Sequence, residues 1–268
     1  MNAQILNGSV AIVAGGARGI GRASALRLAE LGARVAVLDV NLNAAAEYDE
    51  ELTAASVAEE LRDRAGDGIA VQADLTVPYE AQRAIQTVAD RWGRLDALVI
   101  PVGGAITPYP RSAASATTDD DFSVLVDVNM RSVVNCCRAT VPHMRDGGGG
   151  TIVTVASGAA LAVDSGGFLA AYAMTKAAVL QYTRYLAAEV GHWGIRVNCI
   201  APGVIRTARV VAQSAVSGIV NDDAAKSIPL GRQGEPSDIA DAVQYFVSPL
   251  SAYITGQVLA VDGGSTMH

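Results

Sequence analysis

Seven short runs dominated by Val, Ile and Ala recur along the chain, at 9–14, 34–38, 69–72, 97–102, 151–156, 196–200 and 258–261. Most are apolar at nearly every position rather than alternating. A strand with one wet face alternates apolar and polar residues, so an uninterrupted run requires cover on both faces. Helical periodicity between the runs, at 20–31, 42–65, 79–92, 119–144, 171–190 and 236–247, supplies that cover. Strands and helices in alternation, joined by right-handed crossovers, predict an α/β fold with one doubly wound parallel sheet of about seven strands. No repeat or linker divides the chain, so residues 1–268 are expected to form a single domain. The acidic, Ala-rich stretch 43–67 reads as an extended surface helix whose carboxylates form a solvated face. Half of the residues are hydrophobic and 18% are charged, enough apolar material for a large core and too much for a disordered chain.

A net charge of −7 with scattered Lys and Arg argues against nucleic acid and anionic membrane surfaces as partners. The sequence lacks an apolar run of spanning length, and MNAQILNGSV has no charged and apolar leader pattern, so a cytoplasmic protein is expected. Cys136, Cys137 and Cys199 fit neither a disulfide framework nor metal-ligand spacing and read as reduced packing residues. His143, His192 and His268 are scattered, so no metal site is expected.

The first apolar run leads into Ala14-Gly15-Gly16-Ala17-Arg18-Gly19-Ile20-Gly21 and then a helix. Glycines let the backbone turn sharply and approach a phosphate, and a helix N-terminus presents N–H groups and the positive end of its dipole. The second run ends at Asp39, whose carboxylate can accept from ribose hydroxyls and repels a 2′-phosphate. Arg18 pulls the other way, since a guanidinium pairs well with phosphate. The close approach of Asp39 to a nearly dianionic group decides for NAD over NADP. Further on, Tyr172 and Lys176 stand at i and i+4 in a helical stretch and share one face. A phenol of pKa near ~10 is a weak acid–base group at neutral pH, and a neighbouring ammonium is expected to pull it down.

Together these features resemble the short-chain dehydrogenase/reductase family over nearly the whole chain. The matching elements are Gly15, Gly19 and Gly21, Asp39, Ala73-Asp74-Leu75, Asn129, Ser157, Tyr172-x-x-x-Lys176, Arg196 to Gly203, and Tyr253 to Gly264. The chain departs from the family pattern at Ile100-Pro101-Val102-Gly103, at Ala14, and in a lengthened Ser157-to-Tyr172 interval that places 163–168 at the substrate wall.

The resemblance implies a Rossmann-type fold, a homotetramer and a Ser–Tyr–Lys–Asn site. Tyr172 would be the acid/base. Lys176 would lower its pKa and hold the nicotinamide ribose, Ser157 would donate to the substrate oxygen, and Asn129 would fix a relay water. Gly15, Arg18, Gly19, Ile20, Gly21, Asp39, Asp74, Leu75, Tyr172, Lys176, Pro202, Gly203, Ile205 and Thr207 would contact the cofactor. The stretch 208–228 would be a mobile lid, with Arg206 and Arg209 either facing solvent or meeting an acidic substrate group.

The expected activity is NAD-dependent interconversion of a small-molecule secondary alcohol and its ketone. An NADPH-dependent 3-oxoacyl-carrier-protein reductase is the enzymatic alternative, although that docking partner is acidic, as is this chain. A non-catalytic nucleotide-binding scaffold is the other alternative, and it would not need Ser157, Tyr172 and Lys176 together.

Overall fold

In the computed structural model, which describes residues 4–65, 67–163, 166–217 and 220–267, the apolar runs become seven parallel strands in one sheet. They are β1 (Val10–Ala14), β2 (Arg34–Asp39), β3 (Gly68–Gln72), β4 (Ala97–Ile100), β5 (Gly150–Val155), β6 (Ile195–Pro202) and β7 (Val258–Val261). Their order across the sheet is β3-β2-β1-β4-β5-β6-β7.

The unbroken apolar pattern has the expected cause. Val10, Ile12 and Ala14 of β1 pack with Ile85, Val133 and Val179 on one face. Ala11 and Val13 pack with Leu28, Leu61, Val243 and Phe246 on the other. The first face is covered by α3 (Pro78–Trp92), α5 (Ser132–Asp146) and α6 (Ala170–Val190). The second is covered by α1 (Gly19–Glu30), α2 (Val57–Ala65) and α9 (Pro236–Val247). Each fully buried Leu, Ile or Val stabilises by about 1.5–3 kcal/mol, so these two layers dominate the stability of the fold.

The chain runs outward from β1 through β2 to β3, then returns to lay β4 on the opposite side of β1. This reversal opens a crevice at the carboxyl ends of β1 and β4, where doubly wound sheets bind ligands.

Three helical expectations change. The predicted helix at 42–65 is helical only over α2, preceded by a 3₁₀ turn at Ala46–Tyr48. Asp49 takes a left-handed φ of 52°, which ends that turn, and the segment folds back onto α1 as a strap. Its charges do not all form a solvated face, because Glu60 is fully buried. The long helix at 119–144 is interrupted: α4 (Asp119–Val126) passes through a π turn at Asp127–Arg131 before α5 begins. Finally, the proposed lid contains α7 (Ala208–Ser217) and α8 (Asp222–Lys226), with 218 and 219 outside the described residues.

Candidate active site

The phosphate-type loop follows β1 directly. Gly15 adopts φ 87°, and a Cβ there would come within 2.8 Å of the Val102 Cα. A Cβ on Gly21 would overlap the Gly15 carbonyl oxygen, so the loop and the first turn of α1 touch backbone to backbone. Arg18 stands at the N-cap position with extended geometry and no side-chain cap, and the first N–H of α1 is taken instead by the Glu50 carboxylate. Its guanidinium lies over the Tyr48 ring, 4.8 Å from the centroid, rather than in solvent.

Asp39 braces this loop. Its Oδ2 accepts from the Ala17 N–H at 3.0 Å and its Oδ1 from the Asn41 N–H at 3.2 Å. Burial pushes the Asp39 carboxyl up, against the pull of those two N–H donors.

The strap is latched at the same end. Both Glu50 carboxylate oxygens accept from the Gly19 N–H, at 2.9 and 3.1 Å, and Arg22 Nη1 reaches Glu50 at 3.1 Å. Arg22 also holds Glu60 bidentately, at 2.7 and 2.5 Å, and the Thr53 N–H donates to the same carboxylate at 2.6 Å. These donors keep the Glu60 carboxyl at about 2 despite opposing desolvation, the largest single influence on it.

Across the crevice, Ser157 caps the 3₁₀ turn Gly158–Ala160, accepting from the Ala159 N–H at 3.2 Å, and its side chain shares a cleft with the Tyr172 phenol. Tyr172 lies in the first turn of α6 and Lys176 one turn later. Lys176 is 3% exposed, and its Nζ donates to the Val155 carbonyl at 2.9 Å. Burial lowers the Lys176 pKa to about 8. The Tyr172 phenol moves the other way from expectation. Burial raises its pKa, opposed by the neighbouring Ser157 side chain and the Arg209 charge. In this conformation Lys176 spends its ammonium on Val155 and does not lower the phenol.

Asn129 lies in the π turn and is fully buried. Its Oδ1 accepts from the Gly104 N–H at 2.8 Å and its Nδ2 donates to the Gly104 carbonyl at 3.1 Å. Both amide atoms therefore hold the loop after β4, behind Lys176. A π turn at such a position is a common mark of functional sites.

Ile20, Ser157, Tyr172, Lys176, Pro202, Gly203, Ile205 and Thr207 line one cleft. Ile205 contributes backbone there, because its side chain joins the core and its strand bridge is to Gly234. Thr207 accepts from the Val210 N–H at 3.2 Å, capping α7, and its methyl packs over Gly19. Asp74 and Leu75 stand apart from this cleft. Asp74 Oδ1 accepts from the Thr76 N–H at 2.9 Å, while the Leu75 side chain is in the core and its carbonyl accepts from Asn135 at 3.0 Å.

Of the proposed substrate wall, Asp164 and Ser165 lie outside the described residues. Phe168 stacks on Tyr109 with ring centroids 4.5 Å apart. Beside Tyr172, residues including Ala105, Thr107, Leu125 and Leu169 enclose a small, mostly apolar cavity of about 10 Å³, the space of roughly one water.

Arg206 is exposed and reaches Glu235 at 3.5 Å, whereas Arg209 turns into the cleft. The strap, with Tyr48 and Glu50, escaped the sequence reading because helical periodicity carries no sign of tertiary ion pairs. Among the described residues no three His, Cys, Asp or Glu side chains cluster as metal ligands. His268 lies outside the described residues. The three cysteines are unpaired and buried, with the Cys136 thiol pushed up to about 12 by desolvation.

A glycine cradle that a Cβ at Gly15 or Gly21 would fill, the helix start that follows it and a carboxylate at the end of β2 fit an adenine dinucleotide. The hydroxyl pair and buried ammonium fit the nicotinamide end. Fold and cleft define a dinucleotide-dependent α/β oxidoreductase class, and the comparisons with known proteins are consistent with it. The family model described as Enoyl-(Acyl carrier protein) reductase matches residues 15–266. Cyclohexanol dehydrogenase of Rhodococcus sp. (strain TK6) is 40% identical, covering 97% of each chain. The 3-oxoacyl-acyl-carrier-protein reductase FabG of Chlamydia muridarum is 34% identical over 98% of this chain and 99% of its own. A solved short-chain type dehydrogenase/reductase from Mycobacterium ulcerans superposes with a TM-score of 0.85 at 30% identity, covering 97% of this chain and 90% of its own. The chain belongs to the short-chain dehydrogenase/reductase family, oxidoreductases that act on CH–OH groups with a nicotinamide cofactor.

Proposed function

We propose that this protein is an NAD-dependent dehydrogenase that interconverts a small, uncharged secondary alcohol and its ketone. The observation that carries the reading is a single cleft lined by Ser157, Tyr172 and buried Lys176, with a small apolar cavity beside Tyr172. The 40% identity to a cyclohexanol dehydrogenase supports the substrate class.

When bound, the nicotinamide accepts or returns the hydride. Ser157 donates to the substrate oxygen and holds it against the Tyr172 hydroxyl, where the proton is exchanged. Asn129 fixes Gly104 and thereby the wall beside Lys176. Gly15, Gly19, Ile20 and Gly21 bring backbone to the diphosphate, and Asp39 accepts from the adenosine ribose. Pro202, Gly203, Ile205 and Thr207 border the nicotinamide end. Arg18, held on Tyr48, covers the adenosine side, while Asp74 and Leu75 shape the adenine wall through backbone. Residues 1–268 act as one domain in this reading, and the homotetramer is the one that the family resemblance implies.

Replacing Tyr172 by Phe removes the transferable proton and keeps the ring. Turnover of cyclohexanol with NAD is expected to fall at least a thousandfold, with NADH binding retained, when followed by NADH absorbance and fluorescence. Near-wild-type kcat in Tyr172→Phe would sink the assignment. The same assay compares NAD with NADP, and a KM preference for NADP would overturn the Asp39 argument.

The FabG relative supports a second reading, reduction of a 3-oxoacyl carrier substrate with NADPH. The net charge of −7 opposes docking of an acidic carrier, and turnover of a 3-oxoacyl thioester with NADPH above that of cyclohexanol with NAD would favour it.

A further inference from the structure

Arg209 is the charged side chain in the cleft that neither the fold nor the proton-transfer chemistry uses. It stands in the first turn of α7, two residues beyond Thr207, whose methyl packs over Gly19 at the start of α1. From there its guanidinium crosses to the loop after β4, with Nη2 at 3.5 Å from the Gly103 carbonyl. A Cβ on Gly104 would come within 2.6 Å of Nη1 and 2.8 Å of Cζ, so the guanidinium lies flat over that glycine. Its Nε is enclosed without an acceptor, and among the described residues no carboxylate pairs with it. Arg206, on the opposite side, has Glu235 at 3.5 Å.

A guanidinium partly withdrawn from water without an anion is costly, and a 3.5 Å carbonyl contact does little to offset that cost. The cleft is therefore short of one negative charge. Arg209 lies within electrostatic range of both Arg18 and Tyr172, which places the deficit between the phosphate loop and the proton donor. An aliphatic alcohol or ketone brings no charge to that spot. The diphosphate of an adenine dinucleotide does, and α7 begins directly against the helix N-terminus that would hold it.

We propose that Arg209 is a diphosphate clamp carried on the lid: it lies across the cleft over Gly103 and Gly104 in this conformation and swings onto the diphosphate when the dinucleotide binds. The inference rests on the nicotinamide reading of the cleft and adds to it a contact that closes α7 over the cofactor. Bidentate pairing of guanidinium with phosphate oxygens is strong and geometrically specific, so the clamp also orients the lid.

The test titrates the wild-type chain, Arg209→Met and Arg209→Lys with NADH, by fluorescence, and with ADP-ribose, by calorimetry. ADP-ribose carries the diphosphate but no nicotinamide. Arg209→Met is expected to weaken both ligands roughly ten- to a hundredfold and to flatten the salt dependence of ADP-ribose binding. Arg209→Lys is expected to recover part of the affinity. The melting temperature of unliganded Arg209→Met is expected to hold or rise, because a half-buried charge with no anion beside it has been removed, whereas a merely structural arginine would lower it. Unchanged ADP-ribose affinity in Arg209→Met overturns the clamp, including the case in which only the KM of an anionic substrate rises. A wild-type chain that binds neither NADH nor NADPH overturns the nicotinamide reading itself, a result distinct from the failure of the clamp.

Discussion

At the scale of single residues, spacing in the sequence located the groups but not their partners. Tyr172 and Lys176 share a helix face as the i, i+4 relation requires, and Ser157 meets Tyr172 from the end of β5. The ammonium, however, turns to the Val155 carbonyl, so the expected lowering of the phenol is absent and burial raises it. Burial depends on the assembled cleft and leaves no trace in a local motif.

The depressed Lys176 has a measurable consequence. Its folded pKa of about 8 lies below the ordinary lysine value of 10.5. Below pH 8 both folded and unfolded chains hold the proton, and the full desolvation penalty, of order 3 kcal/mol, is present. Between about pH 8 and 10.5 the unfolded chain binds more protons, so stability rises with pH and the penalty fades. Replacing Lys176 by Met is expected to stabilise the fold at pH 7 by about 1–3 kcal/mol and to gain little at pH 10, while abolishing turnover. Urea unfolding at the two pH values checks this, and equal effects at both would contradict it.

Among elements, the strands and the helices α1, α3, α6 and α9 follow closely from periodicity, because both layers of the sheet select apolar residues at fixed intervals. The strap did not, because its order comes from Glu50 on Gly19 and Glu60 on Arg22, contacts with α1 that are remote in sequence. The π turn was equally hidden, since one inserted residue barely shifts an apolar pattern.

The strap supports a prediction of its own. Glu60→Gln leaves Arg22 with a half-satisfied pair, and a loss of about 3 kcal/mol is expected in urea unfolding at pH 7. The Glu60 carboxyl is held at about 2, below its unfolded value of 4.5. Its contribution is therefore complete above the unfolded pKa and is lost as pH falls through the folded one. The wild-type advantage over Glu60→Gln should shrink from about pH 4.5 toward pH 2, and a gap that stays constant would exclude Glu60 as its source.

For the whole molecule, the strand order divides the sheet by chain position. Residues 10–72 supply β1, β2 and β3, and residues 97–261 supply β4 to β7. In the sheet the two halves meet only where Ala11, Ile12 and Val13 pair with Ala97, Leu98 and Val99. Helix packing of α1 on α9 and of α3 on α5 completes the junction. The phosphate loop and Asp39 belong to the first half, and Ser157, Tyr172, Lys176 and Arg209 to the second.

A break after Gly93 would therefore yield two pieces that each carry half of the site and a contiguous block of sheet. Co-expressed, they are expected to reassemble, with NADH raising the yield of the paired form in pull-down assays. A ligand spanning the seam contributes about 2.7 kcal/mol at a hundredfold excess over its Kd. Seen this way, the proposed dinucleotide is a rivet as well as a reagent: the chain places its chemistry along its own line of cleavage, and each occupied cycle holds the two halves shut.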